Sequence, residues 1–425
     1  MTDVALETFE RLFGPEFGHG KAFDLDKLRA ALRALDDPQR KLPPVIHVAG
    51  TNGKGSTIAF MRAIAEAAGL KVHAFTKPHL FALRERFVVA GVEADDDALI
   101  AATERIHAVA PTLTQFDAQV AAAFRLFNDT PADLVLLETG MGGRDDSTNV
   151  IEAPVATVFT PISLDHQDAL GAGITEIAAH KAGIIKRSVP VFVGRQPEAA
   201  RTVVEAEAER LNAPLYRLGV EWDAYVNAGR LVVQTEMRAL DLPLPALHGA
   251  HQIDNAGLAC ATLMHVLDIS DDAFAVGVQS ARWPGRMQPL TGGAFSAPIR
   301  AVGGELWVDG GHNADGASAL ARALRKMDDK RPVHTIAIIG MRARKDADAF
   351  VGALAGAVDE IIAVPLSEAH VAPGMLVAIA DAMGVAARAA PSLAAAMQNA
   401  AQLPAPRVLV CGSFLLAAEA LAAES

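Results

Sequence analysis

The run Val45–Thr57, VIHVAGTNGKGST, constrains this chain more than any other stretch. Val45-Ile46-His47-Val48 follows Pro43-Pro44 and is β-rich, which predicts a buried strand. Gly50, Gly53 and Gly55 are then spaced by Thr51, Asn52 and Lys54, and Ser56-Thr57 opens an alanine-rich helical stretch, Ile58–Ala68, that stops at Gly69. Strand, glycine turn and helix make a phosphate cradle. Glycines let backbone N–H groups approach the oxygens, the helix N-terminus adds positive partial charge, and Lys54 adds a full one. The common spelling G-x-x-x-x-G-K-[ST] is not met, since Val48 stands at its first glycine and Gly55 separates Lys54 from the hydroxyl of Ser56. A plain surface turn would not need the strand, the lysine, the hydroxyls and the helix together.

Composition narrows the rest. At about 150 residues per domain, a chain of 425 residues predicts two or three domains, each able to bury a core. No apolar run reaches the roughly 18 residues that span a bilayer, and the opening MTDVALETFERLF lacks a basic-then-apolar leader pattern. Cys260 and Cys411 are too few for a disulfide framework or metal cluster and are expected to be buried thiols. A net charge of −12 argues against a general nucleic-acid surface, so anionic ligands must be met by local cations and helix ends. The expectation is a cytoplasmic protein without nucleic-acid or membrane partners.

Residues 1–42 read as helices, with an apolar face over Asp24–Leu35 and a turn at His19-Gly20. Lys71–Phe75 predicts a second strand, which Pro78 ends. The following Thr76–Arg86 reads as a loop whose Arg84 and Arg86 are an exposed charged turn. Asp95-Asp96-Asp97 reads as a solvated helix start. Thr114 is placed to cap the apolar helix Ala118–Phe127, and Phe116 reads as core or as a stacking platform. Leu134–Leu137 predicts a strand ending in Glu138-Thr139-Gly140-Met141-Gly142-Gly143-Arg144. A carboxylate at a strand end beside a phosphate loop suits Mg²⁺, and otherwise serves as a cap or ion-pair partner. Val155–Phe159 ends in Ser163-Leu164-Asp165-His166, where His166 is either a ligand or an ordinary loop histidine. Ile174–Ile185 predicts a helix on which Lys181, taken alone, is a solvated charge.

Val189–Val193 predicts a strand, Glu198–Leu211 a helix, 215–245 a β-ribbon and 248–267 an alanine-rich helix. Arg282-Trp283-Pro284-Gly285-Arg286, followed by Gly292, Gly293 and Pro298, marks a boundary. The predicted division is an N-terminal domain over 1–286, a linker over 287–300 and a C-terminal domain over 301–425. Beyond the linker β/α alternation restarts at Leu306–Val308, Thr335–Ile339, Glu360–Val364 and Val408–Val410, a smaller α/β domain of dinucleotide-fold type.

Several blocks, in order along the whole chain, give a specific resemblance: AGTNGKGST, ETGMGGRDDSTNV, ISLDHQDALG, HKAGIIK, HQIDNAGLA, PGRMQ, DGGHNADGA and VLVCGSF. Together they resemble the folylpolyglutamate synthase and dihydrofolate synthase family of the Mur ligase superfamily. The resemblance implies an α/β fold: an ATPase domain with a mostly parallel central sheet, and a smaller Rossmann-like C-terminal domain. It implies a monomer that uses ATP and one or two Mg²⁺ ions to join L-glutamate to dihydropteroate and to reduced folates through an acyl phosphate. Matched residue by residue, it puts the phosphates on Gly50, Thr51, Asn52, Gly53, Lys54, Gly55, Ser56 and Thr57. Asn255, Arg286, Asp309 and His312 would be further nucleotide contacts. Ser56, Glu138, His166 and a carbamylated Lys181 would hold metal, with Lys54, His166 and Lys181 in catalysis. Thr114, Phe116 and Arg84 would lie on the pterin side and Ser413 in the glutamate pocket.

The sequence departs from the family pattern at several positions. Lys77 stands where the family has a metal-binding serine, and Ala82 where it has an arginine that Arg84 would replace. Asp117 and His180 stand where the family has glutamates, and Arg344-Lys345-Asp346 where it has Asp-Lys-Asp. By the resemblance these departures gather near the acid substrate and the second metal, so two alternatives stay open: a related amide ligase with a changed acid, and a non-catalytic ATP-binding relative.

Overall fold

The computed structural model describes residues 3–16 and 25–424. The turn expected at His19-Gly20 and the expected helix start at Asp24 lie outside the described residues. The chain forms two compact units, one of residues 1–246 with 253–282, the other of residues 247–252 with 283–425.

In the first unit, helices α1 (Val4–Phe13) and α2 (Leu25–Ala34) precede β1 (Val45–Ala49) and α3 (Lys54–Ala67). Then come β2 (Val72–Phe75), β3 (Phe87–Val89), β4 (Val92–Glu93), α4 (Asp96–Val109), α5 (Gln115–Asp129), β5 (Leu134–Glu138) and β6 (Ala156–Phe159). α6 (Gln167–Leu170), α7 (Ile174–Ala182), β7 (Val191–Val193), α8 (Glu198–Arg210) and β8 (Leu215–Arg217) follow. Strands β1, β2, β5, β6 and β7 are buried at every position, as continuous apolar runs in a doubly covered sheet should be. The sheet order is β4-β3-β2-β5-β1-β6-β7-β8, parallel except where β3 pairs with β2 and β4. The face that carries Val45, Ala49, Val135, Phe159 and Val193 is covered by two adjoining cores, one containing Phe9, Leu28, Leu99, Phe124 and Phe127, the other Ile177, Ala178 and Val204, and α3 packs against β1, β2 and β5.

The ribbon expected over 215–245 starts later. Leu215–Arg217 extends the main sheet, and the separate antiparallel sheet is β9 (Trp222–Asn227), β10 (Arg230–Thr235) and β11 (Ala239–Leu242). α9 (His251–Val266) and α10 (Asp271–Ser280) follow, and α10 packs on α3. Both cysteines are buried and free.

The second unit is built from β12 (Gln288–Leu290), α11 (Ser296–Ala301), β13 (Glu305–Val308), α12 (Ala314–Asp328), β14 (Thr335–Ile339) and α13 (Ala347–Leu354). It continues with β15 (Glu360–Ala363), α14 (Pro373–Ala382), β16 (Ala386–Ala389), α15 (Leu393–Ala400), β17 (Arg407–Cys411) and α16 (Phe414–Ala422). The sheet runs β12-β13-β17-β14-β15-β16, with only β12 antiparallel. Residues 287–300, expected as a linker, hold β12 and α11. Pro298 lies within α11, and Gly293, Phe295 and Ser296 donate backbone N–H groups to Glu424. β16 has no counterpart in the sequence reading because AARA carries no β-branched or aromatic residue.

Candidate functional site

β1 lies between β5 and β6, with Val48 level with Glu138 and Ala49 level with Phe159. This alignment carries the glycine loop, the carboxylate of Glu138 and the Thr160–His166 segment to one end of the sheet, where ligands sit in open parallel sheets. The helix after the loop begins earlier than expected, at Lys54 rather than Ile58, so the lysine occupies its first turn. Gly53 precedes it at φ +88, a left-handed conformation that glycine adopts at little cost. A Cβ there would also fall 2.6 Å from Oδ1 of Asn255, which is 4% exposed and packs under the loop.

The backbone amides of this run divide into two groups. Those of Thr51 and Asn52 donate to the Pro161 carbonyl at 2.8 and 3.3 Å, tying the loop to the segment after β6. The Thr51 side chain accepts from Ser163 N–H at 3.0 Å, and Asn52 Nδ2 lies 3.3 Å from Ser163 Oγ. Thr57 is fully buried and its N–H donates to Gly53 O at 2.9 Å. Anion-facing amides therefore come from the first turn of α3, which includes Lys54, Gly55 and Ser56, rather than from the whole run.

One carbonyl gathers the cations. Gly50 O accepts from Lys54 Nζ at 3.1 Å and from Lys181 Nζ at 2.8 Å, and Lys54 Nζ lies 3.7 Å from Glu138 Oε1. Glu138, 3% exposed, also accepts the backbone N–H of Lys77 at 3.1 Å. Lys181 is not the solvated charge that its sequence surroundings suggest. It is 5% exposed, and burial, with Lys54 adding to it, pushes its amine down to about 7. Gly50, Thr51, Lys54, Thr139, Gly140, Met141, Gly142, Asp165, His166 and Lys181 line a single hollow. His166 stands at its exposed rim at φ +54, just before α6.

A second polar layer holds the glycine-rich wall of this hollow. Asp146, 1% exposed, accepts from Met141 N–H at 2.7 Å and from Thr148 Oγ1 at 2.5 Å. His47 Nε2 meets the same Thr148 oxygen at 2.8 Å, and burial lowers His47 to about 3. A neutral ring with its proton on Nε2 fits this chain, because the Thr148 hydrogen is used on Asp146. Thr114 is the N-cap of α5, as expected, in a capping box with Asp117. Its hydroxyl donates to Asp117 Oδ2 at 2.6 Å, so that group already has a structural task.

Of the remaining expected residues, Arg84 is exposed and paired with Asp96 and Glu93 at 3.0 and 3.5 Å, so it does not supply an inward cation in place of Ala82. Arg86 does not form the exposed turn expected of it. It is 4% exposed, donates to Gln119 Oε1 at 2.8 Å and pairs with Glu16 at 2.9 Å. Sequence reading missed Arg86 because it did not recognise β3. The residue immediately before a strand takes its direction from that strand's pairing with β2. Phe116 is half-buried, packs against the core and carries Lys77 Nζ 4.7 Å from its ring centroid.

Within the second unit, the Arg286 guanidinium lies 4.6 Å from the Phe414 ring centroid and the His312 ring 5.4 Å from it. Asp309, 5% exposed, accepts the N–H groups of Met287 and Gly311 at 2.8 and 2.6 Å. Ser413, 3% exposed, caps α16 by accepting from Leu415 N–H at 3.1 Å. These residues gather near the C-terminal ends of β13 and β17, the ligand end of that sheet as well.

Residues 48–263 match the Mur ligase middle domain and residues 285–414 the Mur ligase glutamate ligase domain. The dihydrofolate synthase/folylpolyglutamate synthase of Bacillus subtilis is 34% identical over 322 residues, covering 71% of this chain and 72% of that protein. The chain belongs to this family of Mur ligases. Among solved structures, Escherichia coli FolC in complex with DHPP and ADP has a TM-score of 0.87 at 30% identity, over 98% of this chain and 96% of that one. The Yersinia pestis bifunctional folylpolyglutamate synthase/dihydrofolate synthase complexed with AMPPNP and Mn has a TM-score of 0.85 at 31% identity, over 96% and 95%. This family membership accounts for the fold, with its large mixed sheet and second α/β unit. Among the described residues, no helix is long and apolar enough to cross a membrane.

Proposed function

We propose that the protein is an ATP-dependent ligase that joins L-glutamate to dihydropteroate and to reduced folates. The observation that carries this reading is the meeting of Lys54, Lys181 and Glu138 around the Gly50 carbonyl at the end of β1. A carboxylate is a poor acyl donor. Transfer of the ATP γ-phosphoryl group to it gives an acyl phosphate, which the glutamate amine attacks, forming the amide and releasing phosphate. Lys54 and the first-turn amides of α3 hold and neutralise the phosphates through the transfer. Arg286, Asp309 and His312 are the nucleotide contacts of the second unit, and Ser413 belongs to its glutamate pocket. The enzyme acts as a cytoplasmic monomer.

The donor set suits a hard divalent cation. Among the described residues, no group of three His, Cys, Asp or Glu side chains could hold a metal by itself. Mg²⁺ is usually bound through one or two carboxylates and completes its shell with phosphate oxygens and water. Glu138, Ser56 and His166 would hold it, and when bound it neutralises charge on the transferred phosphoryl group. As an ammonium, Lys181 is a donor only and cannot ligate a cation. Its depressed basicity leaves a neutral amine near pH 7 that can attack CO₂: a C–N bond forms, a proton leaves, and the carbamate becomes an anionic ligand that Lys54 favours.

The test is release of ADP and phosphate by the purified protein with Mg²⁺, glutamate and either dihydropteroate or tetrahydrofolate. Turnover is expected only when ATP, acid and amino acid are all present, with a loss of roughly 100-fold or more in Lys54→Met. Absence of acid-dependent phosphate release with either folate overturns the reading.

A further inference from the structure

The Lys77 side chain turns away from Glu138 into a separate charged cluster. While its backbone N–H donates to Glu138, its ammonium lies 4.7 Å from the Phe116 centroid and 3.6 Å from Glu16 Oε1. Arg86 takes the other oxygen of Glu16 at 2.9 Å and also donates to His79 Nδ1 at 3.0 Å. Two cations thus share one carboxylate. Asp146 and Glu138 also act on Lys77 by charge, each less than Glu16, and Glu138 is itself shared with Lys54.

The unmatched charge has unmatched hydrogen-bonding groups beside it. Gln115, 1% exposed, has neither amide atom hydrogen-bonded, and Gln119, 0% exposed, has an Nε2 without a partner. Four residues apart on α5, they share a face, and Gln119 is the residue that Arg86 contacts. A buried amide without a partner is destabilising, so a cluster that served stability alone would be expected to satisfy or omit these groups. The cluster also adjoins the hollow that holds Lys54. Gly140 lines that hollow, and a Cβ on it would fall 2.3 Å from Phe116 Cζ, so the aromatic ring backs its wall.

We propose that Lys77, Arg86 and the Phe116 ring form a subsite for a carboxylate of the acid substrate, which supplies the anion this cluster lacks. Lys77 is then a specificity-determining residue that meets the acid directly. Glu16 is the anion that both cations share and that a substrate carboxylate would compete with. This rests on the ligase reading above and deepens it, because it assigns the acid side of the reaction to particular cations. The aryl part of an aromatic acid would lie against Phe116, and the buried amides would meet its polar edge.

The test uses the full chain and two probes, dihydropteroate and 4-aminobenzoate, with affinity measured by calorimetry and Mg-ATP as the control ligand. Lys77→Met is expected to weaken both probes at least tenfold and leave Mg-ATP affinity within twofold. Lys77→Arg should retain acid affinity within about threefold, and Glu16→Gln, which removes a competing anion, should strengthen it. The inference is overturned if Lys77→Met binds both acids like the wild type, or if Lys77→Arg and Lys77→Met weaken them alike. Should Lys77→Met not fold, Glu16→Gln decides, and unchanged or weaker acid binding overturns the subsite. Folate-dependent turnover in the wild type together with unaltered acid affinity in Lys77→Met sinks the subsite and keeps the ligase. Lys77-dependent binding of 4-aminobenzoate without folate-dependent turnover sinks the ligase reading and keeps the subsite. A wild type that binds neither probe overturns the subsite.

Discussion

Replacing Gly50 with alanine loads the site at its most crowded point. Gly50 has φ +143, and a Cβ on it would stand 1.9 Å from Thr160 Oγ1 and 2.8 Å from the Thr160 carbonyl oxygen. A rotamer change of Thr160 removes the first clash. The second is with backbone, and that backbone is fixed by the Thr160 N–H bond to Ala49 O at 2.9 Å. The conformation costs about 1–3 kcal/mol for a residue with a side chain, and the overlap about 1–3 kcal/mol more. At roughly 2–4 °C per kcal/mol for a unit of this size, calorimetry should show melting lowered by about 4–24 °C. Displacing the Gly50 carbonyl also releases its two lysines, so Mg-ATP affinity should fall at least tenfold. Gly69→Ala is the control: φ is +84 there, but a Cβ would meet nothing within 4 Å. It carries only the conformational cost, about 1–2 kcal/mol, and should leave ATP affinity unchanged. A Gly50→Ala protein that melts and binds Mg-ATP like Gly69→Ala would refute the account of the loop.

The depressed basicity of Lys181 gives a pH signature. Activity should fall in CO₂-stripped buffer and return with bicarbonate, more fully at pH 8 than at pH 6, and ¹³C-bicarbonate should give a carbamate signal that Lys181→Arg lacks. In CO₂-free buffer the unfolded state binds the extra proton between about 7 and the ordinary 10.5, so stability should rise with pH across that window. Lys181→Met should lose this slope in denaturant titrations. Gly140→Ala, whose Cβ would meet Phe116 Cζ at 2.3 Å and Asp146 Oδ2 at 3.0 Å, should displace the ring and raise KM for the acid several-fold, since overpacking costs about 1–3 kcal/mol. In the second unit, Arg407 is 1% exposed and bonds Glu305 Oε1 at 2.6 Å. Arg407→Met leaves that carboxylate without its partner and should cost about 3–5 kcal/mol, read from the denaturant midpoint.

Much of this protein follows from local sequence. The apolar runs at Val45–Val48 and Leu134–Leu137 could only be buried strands. The glycine loop between strand and helix announced a phosphate site, and Thr114 with Asp117 announced a helix cap. Each depends on neighbours within a few residues, where backbone sterics and hydrogen-bond reach decide the outcome. The start of α3 at Lys54 was harder to read, because Gly53 and Gly55 lower helix propensity and their role is set by the packing of Asn255.

What local sequence left open was which charges face one another. Lys181 looks like a solvated helix residue until α7 is laid against the Gly50 carbonyl, 131 positions away in the chain. Arg84 and Arg86, two residues apart, look alike in the sequence; the short turn before β3 sends one to the surface and the other to Glu16. Charge carries no periodic signature that says where its counter-charge lies, and its energy depends on burial and on a separation of a few ångströms. The sequence therefore determined that this chain sets a glycine loop and a helix start at the end of a buried strand. Only the tertiary fold decided which lysines share its carbonyl and which cation lies on the aromatic ring behind it.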